Sequence, residues 1–195
     1  MAVPPPSSSA ASAAAAKAEM RRAVLTARRA FVAAGPPPLA VPAPLRDLLD
    51  KARVVAGYMA MADEADPTPL LAHAHARGCT LALPHVTTRS APMRFLRWAP
   101  GDPLEHGPMA LQQPSPDSPD IEPDLLLIPL VAFDARGHRL GHGGGFYDCA
   151  LAARPHARRI GIAWSVQQVP QVPVDAWDEP LHAMLTERDW MIPTP

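Results

Sequence analysis

Read for the spacing of apolar positions, the chain alternates between helical and extended patterns. From Ala13 to about Ala34 good helix formers dominate, and Met20, Val24, Ala27 and Phe31 recur at helical spacing as one apolar stripe. Lys17, Arg21, Arg22, Arg28 and Arg29 are expected on the opposite, solvated side, and Pro36–Pro38 stop the helix. A short helix is expected at 43–51, a buried strand at 54–58, and a helix at 69–77 capped by Gly78. Strands follow at 80–83, ended by Pro84, and at 93–98. A long polar loop then runs over 99–124.

The most apolar short run, Leu125–Ile128, suits a central strand buried on both faces. A Gly-rich basic loop at 133–145, a helix at 146–154, a strand at 159–163 and a last strand near 182–185 complete the pattern. Strands alternating with helices predict an α/β fold. Its single open, mostly parallel sheet is flanked by helices in a Rossmann-like three-layer arrangement. Residues 1–12, all Pro, Ser, Ala, Val and Met, are expected to be a disordered tail, with one domain over 13–195.

Composition narrows the function classes. The chain has 195 residues, 48% of them hydrophobic, enough to bury a core. A formal net charge of -1 argues against a nucleic-acid or anionic-membrane footprint. Two cysteines, Cys79 and Cys149, are too few for a disulfide framework and are expected to pack as small apolar residues. No apolar run reaches membrane-spanning length and no signal-peptide pattern opens the chain, so a cytoplasmic protein is expected. The eight histidines are scattered, and His73 and His75 cannot share a helical face, so no histidine-based metal site is expected. The 26 prolines cluster in tails and loops.

The chemistry concentrates between Asp134 and Asp148. Gly141, Gly143, Gly144 and Gly145 let backbone N–H groups approach an anion, and a helix opens just after them. Arg139 supplies a two-pronged donor and Asp148 an oxygen ligand suited to Mg²⁺. From spacing alone the segment reads either as a phosphate-binding loop or as a flexible surface turn. It matches neither the Gly-x-x-x-x-Gly-Lys-Ser/Thr loop nor the dinucleotide Gly-x-Gly-x-x-Gly pattern.

Arg139-Leu-Gly-x-Gly-x-Gly-Phe-Tyr-Asp148, following Leu-Ile-Pro-x-x-x-Phe-Asp134, resembles the signature of the 5-formyltetrahydrofolate cyclo-ligases, also called methenyltetrahydrofolate synthetases. Further segments are similar to that family. They are Lys17-x-x-x-Arg21 with Arg28, Gly57-Tyr58 through Glu64, Gly78 to Pro84, Met93-x-Phe-x-x-Trp98, and the stretch from Val172 through Asp178 to Glu187.

The resemblance implies an enzyme that converts ATP and 5-formyltetrahydrofolate to 5,10-methenyltetrahydrofolate, ADP and phosphate with Mg²⁺. The formyl oxygen takes the γ-phosphoryl group, and N10 then displaces phosphate from the imino-phosphate. It implies nucleotide contacts from Lys17, Arg21, Arg139, Gly141, His142, Gly143, Gly144, Gly145, Phe146, Tyr147 and Asp148. Folate contacts fall to Tyr58, Met59, Glu64, Trp98 and Tyr147, with Met61 nearby. Glu64, Arg139 and Tyr147 are the implied catalytic residues, and Asp148 and Asp178 the Mg²⁺ carboxylates. The partners expected are small molecules, with no nucleic acid and no membrane, and the chain is expected to be a monomer.

Two other readings share the loop: an inactive nucleotide- or RNA-binding module of the same fold, and an ATP-dependent ligase or kinase-like enzyme acting on another amide. The chain departs from the family's usual residues at His142, where Arg or Lys is frequent, at Cys149 for Arg, and at His182 for an acid. A neutral imidazole holds phosphate less strongly than a guanidinium. His142→Arg is therefore expected to lower the KM for ATP in a steady-state assay, and an unchanged KM counts against a phosphate role at this position.

Overall fold

The computed structural model describes residues 8–61, 63–88, 91–108, 111–175 and 177–194, with side chains from 13 onward. Helix α1, Ser8–Ala33, begins five residues before the expected Ala13, because the alanines around Ser12 extend the helix toward the N-terminus. Of the expected tail, residues 1–7 lie outside the described residues. The helix ends where Gly35 turns at φ 71° ahead of the proline run.

The expected apolar stripe is right, but the expected basic face is not. Val24 is buried, and Met20 and Phe31 pack against the cores. Lys17, Arg21 and Arg28 lie on that same inward side, and Arg28 is only 2% exposed. The cause is the helical repeat: seven residues complete almost two turns, so 17, 24 and 31, and likewise 21 and 28, share a face. Only Arg22 and Arg29 remain in solvent.

The remaining elements follow in order. Helix α2 spans Ala43–Leu49, strand β1 Val54–Ala56, helix α3 Thr68–Ala76, β2 Thr80–His85 and β3 Arg94–Trp98. Then come β4 Glu105–His106, β5 Gln112–Gln113, β6 Leu125–Pro129, β7 Ala132–Phe133 and β8 Arg139–Leu140. Helix α4 covers Phe146–Ala152, β9 Arg158–Ile162, β10 Ala183–Leu185 and β11 Trp190–Met191, with a short 3-10 turn at Ser165–Gln167.

Seven strands form one sheet in the order β11-β10-β9-β6-β1-β2-β3. The five central strands are parallel, and the two edge strands run antiparallel. The α/β expectation therefore holds.

Alternation along the strands splits the core. Val55, Leu81, Leu83, Leu125, Leu127, Ile160 and Ile162 face α2 and α3. Ala56, Ala82, Leu126, Ile128 and Met184 face the other way, toward Ala150 and Leu151 of α4. This period-two pattern is what a sheet buried on both faces requires.

Pro84 does not end β2, which continues to His85 against β3. Pairing with β1 stops at Ala82, so the missing N–H of Pro84 is not needed on that side. The short ribbon β4–β5 interrupts the expected polar loop. Cys79 is buried, its thiol donating to the Leu49 and Ala52 carbonyls at 3.3 and 3.4 Å, but Cys149 is exposed on the outer side of α4.

Beyond β6 the chain turns into the β7–β8 hairpin, which packs on Val24 of α1 through Val131, Ala132, Leu140 and Val172. Asp134 holds this hairpin. It is 1% exposed and its carboxylate accepts the N–H groups of Arg136, His138 and Val172 at 3.0–3.1 Å and faces His138 Nδ1 at 3.0 Å. Burial alone would raise its pKa, but these hydrogen bonds outweigh that and hold it below the ordinary value.

Stability from Asp134 is thus fully present above its unfolded pKa of about 3.9 and is lost as pH falls through the lower folded value. Asp134→Asn should cost about 1–3 kcal/mol in urea denaturation at pH 7, and the gap to wild type should shrink at acid pH. A gap independent of pH contradicts this account.

Candidate active site

The parallel strands end on one rim, and the chain places its chemistry there. β1 runs on into Tyr58 and Met59, β2 ends near Pro84 and Val86, and β6 ends at Pro129 before the hairpin. Strand β8 then delivers the glycine segment, and α1 packs against the same hairpin. Together these enclose a cavity of about 470 Å³. Lys17, Arg21, Tyr58, Met59, Met61, Glu64, Arg139, Gly141–Gly145 with His142, Phe146, Tyr147, Asp148 and Asp178 all line it.

One expected residue is absent from this wall. Trp98 pairs with Leu81 near the start of β2, so it faces the α2–α3 core at the opposite end of the strand from the cavity. Its indole N–H reaches the Asp102 carbonyl at 3.4 Å. The spacing that marked it was real, but antiparallel pairing turned it to the wrong end.

One end of the cavity is ionic. Arg139 is deeply buried and donates to the Glu179 carbonyl and to Asp148 Oδ1. Burial lowers its pKa, with Asp148 and Asp178 opposing. Burial raises the Asp148 carboxyl, opposed by Arg139 and reinforced by the neighbouring charge of Asp178. Lys17 Nζ donates to Asp175 at 2.7 Å and Asp178 at 3.2 Å. Burial works against its ammonium, but the two carboxylates outweigh it and raise its pKa.

Arg21 Nε donates to the Gly141 carbonyl at 2.7 Å, which brings its guanidinium over Gly143. Gly143 and Gly145 hold φ of 93° and 68°, a region side chains rarely enter. Gly145 begins α4 without a side-chain cap, leaving the first amides of that helix uncommitted to one.

The other end is apolar, walled by Met59, Met61, Pro84, Val86, Met93 and Leu111 around two phenols and one acid. Glu64 is 8% exposed, and its Oε2 accepts the Met61 N–H at 2.9 Å. Tyr58 donates to the Ala65 carbonyl at 2.5 Å. The Tyr147 hydroxyl is buried without a hydrogen-bond partner among the described residues. Burial, then the Glu64 charge, pushes both phenols well above their ordinary range, so both remain donors.

His142 lines the cavity between Gly141 and Gly143. Partial withdrawal from water lowers its pKa. The charge of Glu64 opposes that, Arg28 reinforces it, Asp63 opposes and Arg21 reinforces, so the ring is neutral near pH 7. His182 lies outside the wall, its Nδ1 accepting the Arg159 N–H at 3.0 Å.

Sequence reasoning missed Asp175 and Trp177, which also line the ionic end. Asp175 had a signal: a lysine facing inward requires an acid, and two acids stand three residues apart before Glu179. Met93, Pro84, Val86 and Leu111 had none, because apolar residues at strand ends look like core. Among the described residues no group of three His, Cys, Asp or Glu side chains converges on a metal position.

Fold and cavity together define an α/β protein with a ligand cleft, ionic at one end and apolar at the other, at the carboxyl rim of its parallel strands. A family model described as the 5-formyltetrahydrofolate cyclo-ligase family matches residues 13–187. The 5-formyltetrahydrofolate cyclo-ligase of Escherichia coli K12 is 37% identical over 142 residues, covering 69% of this chain and 78% of that one. A 5,10-methenyltetrahydrofolate synthetase structure from Aquifex aeolicus superposes with a TM-score of 0.69 at 28% identity, covering 92% of this chain and 93% of its own. The Mycoplasma pneumoniae synthetase structure shares the fold, with a TM-score of 0.61 at 20% identity over 88% of this chain and 98% of that one. The chain belongs to the 5-formyltetrahydrofolate cyclo-ligase family.

Proposed function

We propose that this protein closes 5-formyltetrahydrofolate to 5,10-methenyltetrahydrofolate at the expense of ATP, releasing ADP and phosphate. The observation that carries the reading is a single cavity that joins the glycine loop and three cations to an apolar pocket holding Glu64. A nucleotide triphosphate and a reduced pterin need those two environments side by side, because the phosphoryl group must pass directly from one to the other.

Lys17, Arg21, Arg139 and the amides of 141–145 neutralise and orient the phosphates. Phosphoryl transfer asks the protein mainly for such positioning and charge. The Met59–Met61 wall and Tyr147 hold the pterin against the reacting end. Glu64, poised by the Met61 N–H, orients the folate nitrogens so that N10 faces the activated formyl carbon. Tyr147 keeps its proton and donates a hydrogen bond from a hydroxyl that has no partner among the described residues. The apolar wall excludes water, which would otherwise compete for the phosphoryl group.

Mg²⁺ fits this donor set. Asp148 and Asp178 approach closely enough to influence one another, and each keeps one carboxylate oxygen free of hydrogen bonds from the described residues. Two carboxylates completed by phosphate oxygens and water are the usual environment of a nucleotide-bound Mg²⁺. The ion would supply charge neutralisation to the phosphates.

The reading takes residues 13–195 as one domain that works as a monomer on small molecules in the cytoplasm, without nucleic acid or membrane. The net charge of -1 supports the absence of a nucleic-acid partner. Among the described residues no helix is long and apolar enough to cross a membrane.

With Mg²⁺, ATP and 5-formyltetrahydrofolate, the wild type should produce a rise in methenyl absorbance. Asp148→Ala and Arg139→Ala should each slow it at least about a hundredfold, the cost of losing one preorganised electrostatic contact. No turnover by the wild type overturns the reading, and full activity in either variant removes the site assignment.

A further inference from the structure

Arg28 is withdrawn from water almost completely, at 2% exposure, yet it lies outside the cavity wall. A guanidinium so placed is costly to hold away from water unless it is paired. Its Nη2 donates to Asp63 Oδ1 at 2.8 Å and its Nη1 approaches the Leu130 carbonyl, just past β6, at 3.5 Å. Arg29 approaches the second oxygen of Asp63 at 3.8 Å from the solvent side.

Asp63 is held a second time through its backbone. The indole N–H of Trp164 donates to the Asp63 carbonyl at 3.2 Å, and Trp164 in turn packs on Phe31 of α1, ring centroids 5.9 Å apart. The segment is closed on its far side by Tyr58 donating to Ala65. The residue bracketed by these contacts is Glu64, the acid of the apolar pocket.

Helix α1 therefore meets both ends of the cavity. Lys17 and Arg21 stand at the ionic end, and Arg28 grips the residue beside Glu64 from the same helical face. The rise of a helix puts Lys17 and Arg28 about 16 Å apart along a rigid rod.

We propose that Arg28 and Asp63 are positioning residues: through their ion pair, α1 sets the place of the Glu64 carboxylate relative to the cations that meet the nucleotide. The pair touches neither substrate. It acts on the reduced-folate side of the reaction, and the assignment rests on the function proposed above.

The test is a split between substrates. Asp63→Asn keeps the shape and removes the charge, Arg28→Lys keeps a charge but loses the fork, and Trp164→Phe removes one N–H while retaining the ring. Asp63→Asn should lower kcat/KM for 5-formyltetrahydrofolate about tenfold, because small misplacement of a positioned group is costly. Its KM for ATP should stay within about twofold. Arg28→Lys should recover part of the activity that Arg28→Met loses, and Trp164→Phe should shift the folate constant in the same direction.

Equal changes for both substrates, or a lower Tm with both constants unchanged, would mark the pair as a structural brace and overturn the proposal. If Asp63→Asn fails to fold, Trp164→Phe decides by the same split. A wild type that turns over both substrates beside an unchanged Asp63→Asn overturns this proposal alone. A wild type that does not act on 5-formyltetrahydrofolate overturns it together with the function.

Discussion

Three cations on one face of α1 are drawn toward the protein, and each is answered by a different part of the chain. Lys17 meets Asp175 and Asp178, Arg21 meets the Gly141 carbonyl, and Arg28 meets Asp63. Charges taken from water are tolerated only where partners stand ready, so each contact ties a different segment to the helix. The C-terminal acidic loop, the glycine loop and the Glu64 segment are all positioned this way. The sheet provides the rim, and the helix determines how the loops on the rim face one another.

This arrangement has a chemical consequence. Arg139 and Lys17 are already paired with the Asp148, Asp175 and Asp178 carboxylates. Under the proposed function an anionic ligand would share or displace those carboxylates, and a divalent cation would offset the acids left behind. The apolar end needs no such exchange. Its methionines and prolines form an apolar wall around the two phenols and Glu64, which in the proposed function would take the flat pterin ring.

Much of this was legible in the chain. The short apolar runs at 54–58, 80–83, 125–128 and 159–163 identify central strands, and alternation with helices implies parallel pairing. The glycine segment announced itself by composition, and the resemblance assigned Lys17, Arg21, Glu64 and Asp178, which the structure gathers around one cavity. Charge read as exposure was the misleading guide. Arg28 was assigned to solvent because it is charged, although its spacing from Val24 and Phe31 places it on their side. Trp98 was misplaced for a different reason: which end of the sheet it reaches depends on the register of β3 on β2, a long-range pairing that no local pattern encodes. β11 and the β4–β5 ribbon contribute only two residues per strand, too few for a period to show.

The central claim is that the 141–145 backbone wraps the phosphates of a nucleotide under the cations of α1 and β8. Amide NMR of the full chain titrated with Mg-ATP reads this directly. Saturable shifts should concentrate at Gly141, Gly143, Gly144 and Gly145, accompanied by the side-chain resonances of Arg21 and Arg139. Saturable shifts gathered elsewhere, with the four glycine amides unmoved, would contradict the account.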